Sequence, residues 1–177
     1  LKNQWVWWNP PMPKLTHKTL DDIIEVVPQG VEWHSQEQTE RLLNMMSPVN
    51  RRKILQAQKS GRLKVGALYR RTRNGVQRAE VRFDGVSGCL RTPGGGSSRQ
   101  TIMIVNGNTV RSRLLSAREA ARLMGLKDSY LLPERYNDAY HLAGDGVVVP
   151  VVSHLAKHIF SVVVEVNRAV LPLAKAA

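Results

Sequence analysis

The sequence predicts an α+β protein, a small mixed region of short hairpins and helices followed by an apolar C-terminal helix in need of a covering surface. Three observations predict it. Asn74-Gly75 and Asn106-Gly107 each stand between strand-like runs, which is the strongest short-range signal for a β-hairpin. Thr19 with Asp22, Ser35 with Gln38 and Ser116 with Glu119 have the spacing by which a capping side chain and a residue one turn on satisfy the first amides of a helix. From Pro150 the run Val151, Val152, Leu155, Ile159, Phe160, Val163 and Val164 is apolar on more than one face, so a helix there must be buried on most sides. The remaining residues offer it little surface, which predicts a missing partner domain.

The elements follow in order. Residues 1–13 hold Trp5, Trp7 and Trp8 with Pro10, Pro11 and Pro13, too many prolines for a helix or a central strand, and read as an extended linker. A short helix from Thr19 ends at Pro28, and a second, through Arg41–Met46, stops at Pro48. A basic helix runs from about Asn50 to Ser60 and closes at Gly61. Lys64 to Arg73 and Val76 to Phe83 form the first hairpin. In its second arm Arg78, Glu80 and Arg82 alternate with Ala79, Val81 and Phe83, giving one basic and one apolar face. Thr101 to Val105 and Asn108 to Arg111 form the second. Between the hairpins, Cys89 is expected in a strand as a packed, inert thiol, and Arg91 to Gln100 as a glycine-rich loop. A helix then carries Leu115, Ala121, Leu123 and Met124 to Gly125, and a proline-broken connection over Leu131–Tyr140 leads to another short helix. The chain opens on Leu1 rather than Met, which predicts further sequence upstream.

Charge narrows the function. The 177 residues contain 26 Lys plus Arg and 14 Asp plus Glu, a formal net charge of +12. Twelve cations lie between Arg41 and Arg82 against the single acid Glu80. So one-sided a distribution fits a phosphate-bearing partner, because each neutralised phosphate releases counterions. An anionic membrane or an acidic protein would satisfy the same charge. One cysteine excludes an intrachain disulfide framework and a Cys-rich zinc site. There is no secretory signal and no charge-free apolar run of 18 residues. The glycine run is not a nucleotide-hydrolase phosphate loop, since no Lys-Ser/Thr pair follows it. Gly94, Gly95 and Gly96 instead allow close backbone approach, and Thr92, Ser97, Ser98, Arg99 and Gln100 are candidate donors to phosphates or base edges. Arg70, Arg71 and Arg73 are candidate phosphate contacts. His154 and His158 have helical metal spacing, but Leu155 stands where a metalloprotease has Glu and no third ligand is evident, so no metal is assigned. No carboxylate pair or Ser-His-Asp set occurs; alone, the chain reads as a binder.

Two segments add a family. Arg111–Tyr130, with Arg113, Leu115, Ser116, Arg118, Glu119, Ala121, Arg122, Gly125 and Asp128 at matching positions, resembles motif IX of the DNA (cytosine-5) methyltransferases. Ala139–Ile159 resembles motif X, and Cys89–Gly107 the end of that family's target recognition domain. The resemblance implies a linker from the catalytic domain over 1–13, a target recognition domain over 14–110, the motif IX helix and connection over 111–145, and motif X with a helix returning to a Rossmann-like catalytic domain over 146–177. It implies double-stranded DNA and that catalytic domain, in the same chain or a separate subunit, as partners, no membrane, and a place on the nucleoid in the cytoplasm. It also implies chemistry in which a cytosine is flipped from the duplex, attacked at carbon 6 by a thiolate, and methylated at carbon 5 from S-adenosylmethionine.

The family's Pro-Cys nucleophile, Glu-Asn-Val acid and Phe-x-Gly-x-Gly cofactor motifs are absent from these residues. Cys89 is therefore not the catalytic cysteine, no catalytic residue is assigned here, and the segment alone is expected to be inactive. Asp145, Gly146 and Val147 fall where motif X meets the cofactor, although the family usually has Asn followed by Ser or Ala at the first two positions. The alternative is a non-catalytic, sequence-specific DNA-binding protein derived from the same family.

Overall fold

A computed structural model describes residues 8–14, 18–94, 99–165 and 168. The chain divides into two compact units, residues 18–146 and residues 1–17 with 147–177.

The larger unit is built on a four-stranded antiparallel sheet in the order β2-β1-β3-β4. The strands are β1 (Lys64–Arg73), β2 (Val76–Arg82), β3 (Thr101–Asn106) and β4 (Thr109–Leu114). The central strands carry continuous apolar runs, Val65-Gly66-Ala67-Leu68 and Ile102-Met103-Ile104-Val105, because the sheet is covered on both faces. On one side Val65, Ala67, Ile102 and Ile104 pack with α1 (Leu20–Ile23), α4 (Ala117–Leu123) and α5 (Tyr136–Asp145) through Leu20, Ala120 and Tyr140. On the other, Leu68, Ala79, Val81, Met103 and Val105 meet α2 (Gln36–Asn44) and α3 (Pro48–Lys59) through Leu42, Ile54 and Ala57.

The first hairpin turns at Asn74-Gly75, both with positive φ, 52° and 73°, as a two-residue turn of this kind requires. The second differs by one residue. Asn106 still pairs with Thr109, so the turn is Gly107-Asn108 with Gly107 at φ 54°. β4 therefore runs across the boundary drawn from sequence between residues 110 and 111. Pro48 likewise does more than stop a helix. It opens α3, where its missing amide would have had no partner, and Ser47 Oγ accepts from the Asn50 amide at 3.4 Å. Residues 83–91 are irregular rather than a strand, and Cys89 is exposed, which corrects the packed thiol expected there.

One buried ion pair ties the layers together. Arg113 at the end of β4 and Glu119 in the first turn of α4 are both wholly buried, and the guanidinium donates twice to the carboxylate, at 2.6 and 2.7 Å. Glu119 also accepts from the Ser116 amide at 2.8 Å and from the Glu25 amide at 2.7 Å. Glu25 closes the ring by accepting from Ser116 Oγ at 2.6 Å. On the exposed side Trp33 stacks against Arg111, 3.7 Å from ring centre to guanidinium. Beside it His34 Nδ1 meets Ser112 Oγ at 2.9 Å.

In the smaller unit, residues 8–14 have no regular structure, while α6 (Val149–Leu155) begins with Pro150 in its first turn and continues through a π-helical turn, Ala156–Phe160, to Glu165. None of the residues of α6 is buried within the chain. By length and composition alone Tyr136–Glu165 would suffice to cross a membrane, its most apolar 18-residue window having a mean hydropathy of 1.8. Gly146 interrupts it with extended backbone at ψ 156°, and Val148 with non-helical backbone at ψ 118°.

Two outcomes follow from this packing. Glu119→Gln leaves Arg113 buried without a counter-charge and should lower the unfolding free energy by about 3–5 kcal/mol in urea titration; a loss below about 1 kcal/mol would show the pair to be dispensable. Burial first, and the positive charge of Arg70 second, hold the His34 imidazole below its ordinary value of 6.5. The unfolded chain then binds a proton that the folded chain resists, so this contribution is complete above pH 6.5 and lost as pH falls through the folded value. Replacement with His34→Gln should flatten that part of the stability profile, and an unaltered profile would assign it to other groups.

Candidate nucleic-acid interface

Four of the twelve cations between Arg41 and Arg82, namely Lys53, Arg70, Arg71 and Arg82, line one cleft of ≈ 610 Å³ on the larger unit, where Arg91 and Arg99 join them. Its floor comes from Leu68–Arg71 of β1 and Glu80–Arg82 of β2, its walls from α3, residues 87–91 and residues 99–101. Strand alternation turns Glu80 and Arg82 away from the face that buries Ala79 and Val81, and the cleft takes its lining from residues of both faces, Leu68, Arg70 and Val81 included. Lys53, Arg70, Arg71, Arg82, Arg91 and Arg99 line the cleft against the single acid Glu80.

These cations are held to different degrees. Lys53 donates to Asn50 Oδ1 at 3.1 Å and to the Val81 carbonyl at 3.0 Å, so it is part of the α3–β2 packing. Arg82 forks onto Asp84, and that hydrogen bond holds the Asp84 carboxyl below the usual range. Arg71 lies 3.8 Å from Glu80 and 5.6 Å above the Tyr69 ring, while Arg73, beyond the cleft, bonds Glu80 at 2.9 Å. Among the described residues neither Arg70 nor Arg91 has an ion-pair partner. The sequence had singled out Arg70, Arg71 and Arg73; it missed Arg82 and Arg91 as lining residues. The alternation in β2 was a legible signal for Arg82, whereas Arg91 depends on the path of an irregular segment.

The glycine-rich segment divides. Gly95, Gly96, Ser97 and Ser98 lie outside the described residues. Thr92 is half-buried, its carbonyl accepting from the exposed Gly94 amide at 2.8 Å. Arg99 reaches the cleft with its guanidinium bonded to Asn137 Oδ1 at 2.7 Å and 5.9 Å from the centre of the Tyr136 ring. Gln100 corrects the expectation of a base reader. Its residue is only 7% exposed, its amide nitrogen donates to the carbonyls of Leu68 and Thr101 at 3.0 and 2.7 Å, and its oxygen accepts from Gly88 at 3.1 Å. A side chain at Gly88 would overlap that oxygen. Gln100 thus belongs to the core, fixing residue 88 against β1.

The remaining candidate positions are separate. Asp145 and Gly146 end α5; the Asp145 carboxylate meets His141 Nε2 at 2.8 Å, and the Gly146 amide donates to the Leu142 carbonyl at 3.1 Å. Val147 belongs to the other unit and is exposed. Cys89 lines the cleft, its thiol donating to the Leu90 carbonyl at 3.5 Å. His154 and His158 stack with ring centres 4.6 Å apart. Among the described residues no group of three or more metal-binding side chains is found.

A cleft with this surplus of guanidinium groups has the charge that suits a polyanion. The chain belongs to the C-5 cytosine-specific DNA methylases, with residues 8–161 matching that family. No curated protein matches the chain. Enzymes of this family transfer a methyl group to cytosine in DNA and use S-adenosylmethionine as donor. Asp145, where motif X would meet that donor, is exposed and has one carboxylate oxygen on His141.

The contrast between Arg71 and Gln100 is testable. Arg71→Ala should lower the steepness of the salt dependence of duplex binding by about 1 while leaving stability alone. Gln100→Ala should do the reverse, lowering unfolding free energy by about 1–3 kcal/mol through its lost buried hydrogen bonds, with the salt slope kept. If Gln100→Ala instead relaxes base preference in a stable protein, its assignment to the core is wrong.

Proposed function

We propose that this chain is the target-recognition and C-terminal portion of a DNA cytosine-5 methyltransferase, binding duplex DNA through the basic cleft while the catalytic thiolate and most of the cofactor site come from residues outside these 177. The observation that carries the reading is the convergence of Arg70, Arg71, Arg82, Arg91 and Arg99 on one cleft within a chain of this family. Arg70 and Arg71, with Arg73 beyond the cleft, act on phosphates, and Arg99 is the candidate base reader. The absence of the Pro-Cys, Glu-Asn-Val and Phe-x-Gly-x-Gly motifs from the sequence supports a division of labour in which recognition is here and chemistry elsewhere.

The exposed apolar residues of α6 and the turn after it, Val151, Val152, Leu155 and Phe160 among them, fit a role as the element that docks on the catalytic domain. The family match continues to residue 161, through most of this segment, which favours that surface over a lipid bilayer. Motif X would there bring Asp145, Gly146 and Val147 to the edge of the cofactor site, in the cytoplasm, where the DNA is.

Bisulfite sequencing of plasmid DNA tests the reading, with cells expressing this chain alone and together with a catalytic portion that carries the three missing motifs. Methylation at a defined short sequence only in the co-expressed sample is the expected result. Methylation by the chain alone would overturn the division of labour. If the two proteins are soluble and associated and neither sample is methylated, the chain is a DNA binder without a role in catalysis.

A further inference from the structure

Both ends of the glycine-rich segment rest on one face of α5. At one end Arg99 donates to Asn137 Oδ1 at 2.7 Å, and the Gln100 amide donates to Tyr140 Oη at 2.9 Å. At the other end the backbone of Arg91 and Thr92 crosses α5 at Gly144, where an added Cβ would lie 2.5 Å from the Arg91 carbonyl carbon and 2.6 Å from the Thr92 nitrogen. Those are backbone atoms, which cannot swing aside as a flexible side chain does. Asn137, Tyr140 and Gly144 recur at intervals of three and four residues, the repeat of one helical face. Tyr136, under the Arg99 guanidinium, donates to the Leu115 carbonyl at 2.9 Å and so ties the same face to the start of α4. None of the residues of α5 lines the cleft, yet two of the cations that do, Arg91 and Arg99, are set by it.

We propose that α5 is the positioning element of the recognition surface, and that Asn137, Tyr140 and Gly144 determine how strongly the cleft discriminates between base sequences without touching DNA. The inference rests on the reading of the cleft as a DNA interface. An arginine reads a base by a planar fork whose geometry must be held, while its attraction to phosphates needs only its charge. Fixing Arg99 on Asn137 before DNA arrives removes rotamer freedom that binding would otherwise have to remove. Loosening Arg99 therefore leaves the electrostatic part of binding and erodes the sequence-dependent part.

The experiment uses the 177-residue chain. A pool of random duplexes defines the wild-type preference, and titration of preferred and scrambled duplexes at several salt concentrations gives the ratio of affinities and the salt slope. Asn137→Ala should reduce that ratio by roughly 5- to 100-fold with an unchanged slope, the range expected for one base contact. Asn137→Asp, which keeps an acceptor oxygen for Arg99, should restore it. Gly144→Ala, displacing Arg91 and Thr92, should reduce it as well. An Asn137→Ala protein with the wild-type ratio overturns the inference, as does equal loss in Asn137→Ala and Asn137→Asp accompanied by a lowered Tm. A wild-type chain that binds all duplexes alike overturns it while leaving the DNA interface standing. A wild-type chain that binds no duplex fails the function proposed above. The clamp is then read by trypsin cleavage after Arg91 and Arg99, expected to be several-fold faster in Asn137→Ala than in wild type or Asn137→Asp; equal rates overturn the clamp too.

Discussion

The larger unit depends on a guanidinium and a carboxylate that have no water. Arg113 and Glu119 are both fully buried, and a pair in that state is tolerable only if its geometry is right and the leftover hydrogen-bonding positions are filled. All but Arg113 Nε, which is buried without a partner, are filled, and filling them is what organises the fold. The Ser116 amide, the Glu25 amide and the Leu114 carbonyl are each drawn to the pair, and Glu25 in turn takes the Ser116 hydroxyl. The segment after α1, the last strand and the first turn of α4 are thereby fixed against one another by charge, where apolar packing alone would tolerate a slip. Arg122 repeats the arrangement at lower stakes, joining the Ile23 carbonyl to Asp128.

That anchoring lies on the face of the sheet opposite α2 and α3, and the cleft opens where the two coverings leave β1 and β2 bare. The sheet thus separates two tasks. Its central strands hold the layers together through apolar runs buried on both faces, and its first hairpin carries the arginines beyond the core, in residues free to follow the chemistry of a ligand. α5 connects the two, since Tyr140 and Ala143 are core residues while Asn137 and Gly144 hold the ends of the glycine-rich segment.

What the sequence made legible was local. Both hairpins, the Ser35–Gln38 and Ser116–Glu119 caps and the glycine stops at Gly61 and Gly125 are decided by residues within a few positions of each other, and all are found. The errors come where distant residues decide. Gln100 has a polar side chain beside three glycines and looks like a contact residue, yet a tyrosine 40 positions away and a carbonyl 32 positions away draw it inward. Cys89 looked strand-like by composition, but the chain between β2 and β3 must leave the sheet to reach the edge of α5. Glu119 was visible as a cap and a motif residue; nothing in its neighbourhood said that its partner would be a buried arginine. The surplus of cations was legible as a count, whereas which of them line the cleft depends on the register of β1 and β2 and on the paths of the chain at Arg91 and Arg99.

The charge on the first hairpin has a consequence for the protein on its own. β2 is an outer strand, and a bare outer strand invites the same strand of another molecule to pair with it. Here the middle of that edge is already taken, the Ala79 amide donating to the Met45 carbonyl at 3.1 Å and the Val81 amide to Asn50 Oδ1 at 3.2 Å, and Arg78 and Arg82 stand exposed along the strand, with Arg71 and Arg73 on its neighbour. Two copies approaching edge to edge would bring matching rows of positive charge together, so the arginines that suit a phosphate backbone also guard the sheet against self-association and aggregation.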